Sequence, residues 1–387
     1  MYRFVVCLTI LFACSSVLWA NCDPCSNVFS CSSDGKAIEI DLTYTGGVFG
    51  NVHGGKRTGS TYMGLAEIGF TGDSKKLGLW KNGTFFVSGF FSHGPGITRY
   101  VGDYQDPVYF AYEVPAQLCE YWYTHRFFHD RLAIRVGKAD SSSTFFHLES
   151  QEHFVSAAHT NVHTPHIPAD PENAWGIVST LELRRGTALK FGIHDEDINA
   201  NSYTFPKFKN PCYAVQLEKQ YTLFGNRPGF VYVGSWYDTD QFERYSTGDE
   251  VRGNYGFSAG IDQMIWKKHS HGCDDGRGIF FFSRLQTSAR DRNELRRSID
   301  TGLTYRGFFD FRPDDVIGIG CSTVRFSPEY RKHIDPLPHA SETALECFYK
   351  AQLSEHLIVQ PDFQYIFRPG GEHPNATVLG LAFRVAF

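Results

Sequence analysis

The stretch Thr377-Val-Leu-Gly-Leu-Ala-Phe-Arg-Val-Ala-Phe387 puts Leu379, Leu381, Phe383, Val385 and Phe387 on one face of an extended chain, and Gly380, Ala382, Arg384 and Ala386 on the other. One face is apolar and the other is small or charged. Just upstream, Leu357, Val359, Phe363, Tyr365 and Phe367 oppose Ile358, Gln360, Asp362 and Gln364, although Pro361 lacks an N–H and weakens that run as an uninterrupted strand. The same split runs through Cys119 to Phe128, where Tyr121, Tyr123 and Phe127 oppose Glu120, Trp122, Thr124 and Arg126. It recurs in Leu132, Ile134 and Val136 against Arg131, Ala133, Arg135 and Gly137, and Phe128-His129-Asp130 between the two runs suits a hairpin turn. Tyr213 to Glu218 and Asn254 to Asp262 add further members, and Gly, Pro, Asn or Asp clusters separate the runs.

Composition agrees with an all-β chain. Phe 34, Tyr 20 and Trp 6 stand beside Gly 37 and only 3 Met, a mix that favours strands and tight turns over helical bundles. The formal charge of −5 leaves no global basic excess for coating nucleic acid.

Residues 1–20 read as a secretory leader: Arg3, the apolar run Phe4 to Phe12, then Ser15, Ser16 and Ala20 before the cut. The rival, lipoprotein-type cut before Cys14 is disfavoured by the bulky Phe12. No later stretch approaches twenty uninterrupted apolar residues, which excludes a helical membrane protein. Losing Cys7 and Cys14 leaves eight of ten cysteines, an even number suited to disulfides in an oxidising compartment, with connectivity open. Cys22-x-x-Cys25 has no second pair at metal-binding spacing.

A soluble sandwich, such as a β-sandwich lectin, would alternate too. The leader, the aromatics at strand ends and the terminal aromatic in an alternating strand favour an antiparallel transmembrane β-barrel, whose apolar faces meet lipid. That architecture also accommodates a mean hydropathy of −0.29, because alternate strand residues face an aqueous lumen and the loops are polar.

Several stretches resemble the carbohydrate-selective porins of the OprB type from Gram-negative outer membranes. They are Tyr44-Thr-Gly-Gly-Val-Phe-Gly-Asn51 with Gly54, Gly55 and Gly59, then Val87 to Gly94; Glu120 to Phe127 running into Arg135-Val-Gly-Lys138; Asp300 to Gly307 followed by Arg312-Pro-Asp-Asp-Val-Ile-Gly-Ile-Gly320; and Glu342 to Gln352 with Gln360 to Ile366, Pro369-Gly-Gly371 and the final strand. They follow the family's order across most of residues 41–387. The eight cysteines and the histidine-rich segment from His147 to Pro171 depart from the pattern. The resemblance implies about sixteen strands, an outer-membrane location and passive, carbohydrate-favouring diffusion of small solutes, with assembly as a homotrimer. The expected organisation is a leader at 1–20, a short Cys-containing periplasmic segment at 21–37 and a barrel at 38–387.

A channel performs no reaction and needs only a hydrated path with weak, reversible contacts. Sugars present hydroxyls at their edges and C–H groups on their faces, so charged or amide groups beside aromatic rings suit them. The polar faces offer Glu120, Trp122, Arg126, Arg131 and Arg135 from one hairpin, and Glu346, Lys350, Gln360, Asp362, Gln364 and Arg384 from the last strands. These are the candidate lumen-lining and solute-contact residues. The bland reading of each charge is that it pairs across the lumen and keeps the barrel hydrated. Asp314 and Asp315 could suggest acid–base work on a glycoside, but their turn sequence favours capping or pairing with Arg312, a structural turn.

His147, His153, His159, His163 and His166 follow no recognised metal-ligand spacing, and Pro165, Pro168 and Pro171 mark a long loop folded over or into the pore. Asn82-Gly-Thr84 and Asn375-Ala-Thr377 match glycosylation acceptors, which carry no weight in a bacterial envelope. There is no GxSxG, P-loop or Rossmann signature in a strand-to-helix setting, so enzymatic readings are weak, and nothing asks for a cofactor. The second reading is a structural or adhesive outer-membrane protein whose cysteines cross-link neighbouring barrels.

Overall fold

In a computed structural model, which describes residues 36–169, 171–195, 206–223, 225–268 and 276–387, the alternating runs become sixteen strands. They are β1 (Ile38–His53), β2 (Gly59–Asp73), β3 (Gly83–His93), β4 (Ala116–Phe127), β5 (Leu132–Ala139), β6 (Ala174–Arg184), β7 (Thr187–His194) and β8 (Cys212–Leu223). The second half comprises β9 (Arg227–Glu243), β10 (Glu250–Lys267), β11 (Gly278–Ser288), β12 (Leu295–Arg306), β13 (Val316–Phe326), β14 (Ser341–Ser354), β15 (Leu357–Phe367) and β16 (Ala376–Ala386). Each strand pairs with its neighbours in sequence, and β1 pairs antiparallel with β16 from Thr43↔Ala386 to His53↔Thr377, closing the barrel. Residues 1–35 and Cys273 lie outside the described residues, and with them the expected leader, Cys22, Cys25 and Cys31. Cys212, Cys321 and Cys347 are thiols.

Burial is inverted relative to a water-soluble sheet. Phe257 is 60% exposed and Ile319 53%, whereas Ser258 and Ser322 on the opposite faces of the same strands are buried. Apolar side chains facing outward and polar ones facing inward require a lipid solvent outside. The parity read from the sequence is the parity of the wall. Where apolar residues do turn inward, as at Phe49, Met63 and Leu65, segment 94–115 covers them with Ile97, Val101, Val108 and Phe110.

Two local readings resolve in detail. Phe128, His129 and Asp130 all have positive φ (55°, 56° and 66°), the left-handed geometry that reverses the chain between β4 and β5 in so few residues. Pro361 does not interrupt β15. Pairing to β16 continues through Pro361↔Leu381, while the β14 register passes from Phe348↔Asp362 straight to Ala351↔Val359. The missing N–H is thus absorbed by a local gap on one side only.

The barrel end that carries Ile38 and Phe387 has short connections such as 128–131, 185–186 and 355–356; the other end carries 94–115, the connection between β5 and β6, and 327–340. Short turns mark the periplasmic end and long loops the external one. Replacing Ile319 by Arg should destabilise the folded barrel in lipid by about 2–4 kcal/mol, because the charge then sits in hydrocarbon. Urea titration in bilayers checks this, and an unchanged midpoint would contradict the assignment of that face to lipid.

Candidate functional site

Segment 140–173, between β5 and β6, lies inside the barrel. Its route is fixed by wall side chains that reach its backbone. Lys190 of β7 donates to Thr144 O at 3.1 Å, and Gln216 of β8 accepts from Phe146 N at 2.7 Å. Asp262 of β10 accepts from Ser150 N and Oγ, each at 2.8 Å. Glu346 of β14 accepts from Val155 N at 2.8 Å and Ser156 N at 3.0 Å, and Gln360 of β15 donates to His153 O at 2.9 Å. The return leg is held from β11, where Arg284 donates to His159 O (2.9 Å) and Asn161 O (2.6 Å) and Gln286 accepts from His163 N (3.1 Å).

At its centre His159 Nδ1 lies 2.6 Å from Asp300 Oδ1, Arg284 lies 3.5 Å from Asp300, and Gln151 also donates to Asp300. Buried charges of this kind persist only when paired and hydrogen-bonded, and bonds from N–H to carboxylate are among the stronger ones. Gly320 of β13 makes room for this packing: a Cβ there would come within 2.6 Å of both the His159 and Phe154 rings. Segment 94–115 joins the same plug, with Tyr104 N and Gln105 N donating to Glu342 (2.7 and 3.1 Å), Gln364 donating to Pro107 O (2.8 Å) and Tyr109 N donating to Val155 O (2.9 Å).

The candidate residues therefore fall into distinct places. Glu346, Gln360, Asp362 and Gln364 point inward but are buried beneath the two inserted segments. Lys350 sits within electrostatic reach of Glu152 on the inserted segment and of Arg384, which is exposed inside the barrel. Arg131 lies beyond the end of the β4 ladder, exposed in the turn before β5. Glu120 accepts from Trp122 Nε1 at 3.3 Å and from Asp140 N at 3.1 Å, tying the start of the inserted segment to the wall.

Trp122 and Arg135 form a stack: the guanidinium carbon lies 4.1 Å from the indole centroid, and Phe86 of β3 packs on Trp122 at 5.0 Å with planes 26° apart. Arg126 donates to Thr84 at 3.0 Å on the same wall. Gly137, opposite Trp122 with φ 145°, is required here, since a Cβ would lie 2.3 Å from Tyr121 O. Phe86, Arg284 and Asp300 escaped the sequence reading. Phe86 sits in the run Thr84-Phe85-Phe86-Val87, where three successive apolar residues hide the parity, while Asp300 opens the Asp300–Gly307 motif with nothing in its spacing to link it to His159.

In the turn 307–315, Arg312 pairs with Asp315, Arg306 with Asp314 at 2.9 Å, and Asp315 also accepts from Gln352 N at 2.9 Å and from Tyr349. Burial pushes the Asp315 carboxyl up, but Arg312 and Tyr349 outweigh it and hold it below the ordinary carboxylate range. A carboxylate held that firmly in its ionised form is a poor proton donor.

Burial pushes His153 down to about 3 and His163 to about 4, so both are neutral in the folded segment. A depressed histidine favours the folded state fully above its ordinary 6.5 and loses that contribution as pH falls toward the folded value. Glu346→Ala leaves two buried N–H donors unpaired, at about 1–3 kcal/mol each. The variant should show larger, noisier single-channel conductance and protease cleavage within 147–166 at pH 7. The unmodified protein should show the same loosening only as pH falls from about 6.5 to about 4. Conductance and protease resistance unaltered by both treatments would refute the anchoring role.

A model of the family described as carbohydrate-selective porin, OprB family, matches residues 57–387. Porin B of Pseudomonas aeruginosa is 31% identical over 137 residues, 30% of either chain, and the putative porin QuiX of Acinetobacter baylyi is 26% identical over 187 residues, 43% of this chain and 42% of that one. The aligned regions thus span less than half of these curated relatives. The high-pH structure of Pseudomonas putida OprB superposes with a TM-score of 0.81 at 19% identity, covering 91% of this chain and 94% of that one. Family and fold together are those of an outer-membrane β-barrel channel of Gram-negative type rather than of an enzyme, and the chain belongs to the carbohydrate-selective porin, OprB family.

Proposed function

We propose that the protein lets small carbohydrates diffuse passively across the outer membrane, and that the Phe86–Trp122–Arg135 stack is a contact surface for solute in the lumen. The observation that carries the reading is the stack itself, an aromatic face with a guanidinium over it on a wall that the inserted segments leave partly open. With one partner stacked on each side of the indole, a sugar can rest its C–H groups against the lumen-side edge of the stack while the guanidinium donates to its hydroxyls. Arg126, Lys350 and Arg384 supply further donors, whereas Glu346, Gln360 and Gln364 act indirectly by holding the inserted segments, with Asp362 accepting from Gln364. The family resemblance also supports a homotrimer, and light scattering of the detergent-solubilised protein distinguishes three chains from one.

The purified chain reconstituted in planar bilayers should give stepwise channels that simple sugars block reversibly. Trp122→Ala should weaken the block by about 1 kcal/mol, roughly fivefold in apparent affinity, with the channels otherwise intact. Arg135→Gln should act in the same direction. Channels indifferent to every sugar, or a block that neither substitution alters, would remove the proposed contact surface.

A further inference from the structure

The outward face of β11 to β14 carries an arrangement that lipid contact alone does not explain. Arg297 of β12 stands directly opposite Arg325 of β13, and the row continues to Thr287 on β11 and Ser341 on β14. Both arginines share the parity of the lipid-facing Ile299 and Ile319, while Ser298 and Val324 beside them are buried inside. Both are exposed, and neither makes an ion pair or hydrogen bond among the described residues. Like charges directly opposite each other on adjacent strands are destabilising.

The local charge imbalance is larger still. Arg296 is the extra residue where the register steps from Leu295↔Phe326 to Arg297↔Arg325, and its Nε is buried without a partner. It lies within electrostatic reach of Arg325, Arg297 and Arg290 and of the acid Glu329. Glu329 is already engaged by Arg290 at 3.2 Å. Arg296 thus has three guanidinium groups within reach and one carboxylate, itself already paired.

The row sits at a particular depth. β12 begins and β13 ends here, at the external end of the barrel. One step toward the bilayer centre the outward row reads Leu285, Ile299, Thr323 and Thr343, with the two threonine hydroxyls 2.9 Å apart. The next row reads Ser283, Thr301, Cys321 and Leu345, and the one after it Phe281, Leu303, Ile319 and Cys347. Guanidinium, then hydroxyl, then hydrocarbon is the polarity order of a phosphorylated lipid from headgroup to acyl chain.

We propose that Arg297 and Arg325, with Arg296 and Arg290, bind the phosphate groups of an anionic lipid headgroup in the external leaflet. Guanidinium forks match phosphate oxygens bidentately, and a phosphate between Arg297 and Arg325 turns their repulsion into two attractive contacts. The site rests on the outer-membrane location and on the wall parity, and is independent of what passes through the lumen.

The test uses the whole mature chain in detergent with bisphosphorylated lipid A as probe, read by native mass spectrometry and thermal melting. Lipid A should bind in a salt-dependent manner and raise the melting temperature. Arg297→Gln/Arg325→Gln should weaken binding at least tenfold, and without lipid it should melt no lower than the unmodified protein, since it removes a repulsion. Should the double variant fold poorly by its heat-shifted gel mobility, the single variants R297Q and R325Q take its place. Lys75→Gln/Lys76→Gln, at the other end of the barrel, should bind as the unmodified protein does. Equal binding of dephosphorylated lipid A, or binding unaltered by the arginine substitutions, would overturn the proposal. Displacement of lipid A by inorganic phosphate at low millimolar concentration would assign the cluster to free phosphate and overturn the lipid assignment. Sugar block in bilayers should be the same for these variants, which separates this site from the solute path.

Discussion

Everything in this molecule depends on the seam where the last strand meets the first. In hydrocarbon an unpaired backbone N–H or C=O costs several kcal/mol, so a spanning sheet must leave no edge. Pairing of β16 with β1 from Thr43 to His53 meets that requirement. Side chains reinforce it from within: the Phe49 ring lies against Gly380, where a Cβ would approach to 2.1 Å, and it shares a cluster with Val378 and Ala382 of β16. Once the ladder is closed, the parity of every strand is set, because a slip of one residue would turn an entire apolar face into the water-filled interior.

Closure creates an inner surface of polar side chains, and much of that surface is then occupied by the chain itself. Segments 94–115 and 140–173 are not secondary structure of any length, so their backbone groups need partners that a loop in water would find in solvent. The wall supplies them. Asp262, Glu342 and Glu346 each accept two or more bonds from inserted segments, and Arg284 donates to carbonyls of the return leg. Charged wall residues that serve only to hydrate a wider pore would not be so completely buried. Here they position the narrowing, and the narrowing in turn keeps them dry.

Alternation made the strands legible, since Leu379, Leu381 and Phe383 announce a lipid face with no knowledge of the fold. It also identified which residues point inward, and Glu120, Trp122, Arg126, Arg135 and Glu346 all do. What alternation lacks is any record of what lies over an inward residue. Glu346 and Arg384 look alike in sequence, yet one anchors a loop and the other meets water. Arg131 shows a second limit: parity extrapolates past the end of a strand, whereas the left-handed residues Phe128, His129 and Asp130 remove Arg131 from the ladder. Only long-range contacts, such as Val155 with Glu346 or His159 with Asp300, decide these matters, and they join residues far apart in sequence.

In the proposed reading, the partly open wall is where selectivity arises. Trp122 is held from both sides, by Phe86 and by Arg135, and Gly137 opposite it leaves no side chain to compete for that space. A ring fixed in this way loses little further freedom when a solute touches its open edge, which favours contact without demanding a deep pocket. The Arg135 guanidinium gives one N–H to Thr144 Oγ1 of the inserted segment at 3.4 Å, and its remaining N–H groups are the ones a solute hydroxyl would meet. Conduction requires that such contact be weak enough to release, and the proposed contact at the edge of a stack on one wall would meet that condition better than an enclosing site.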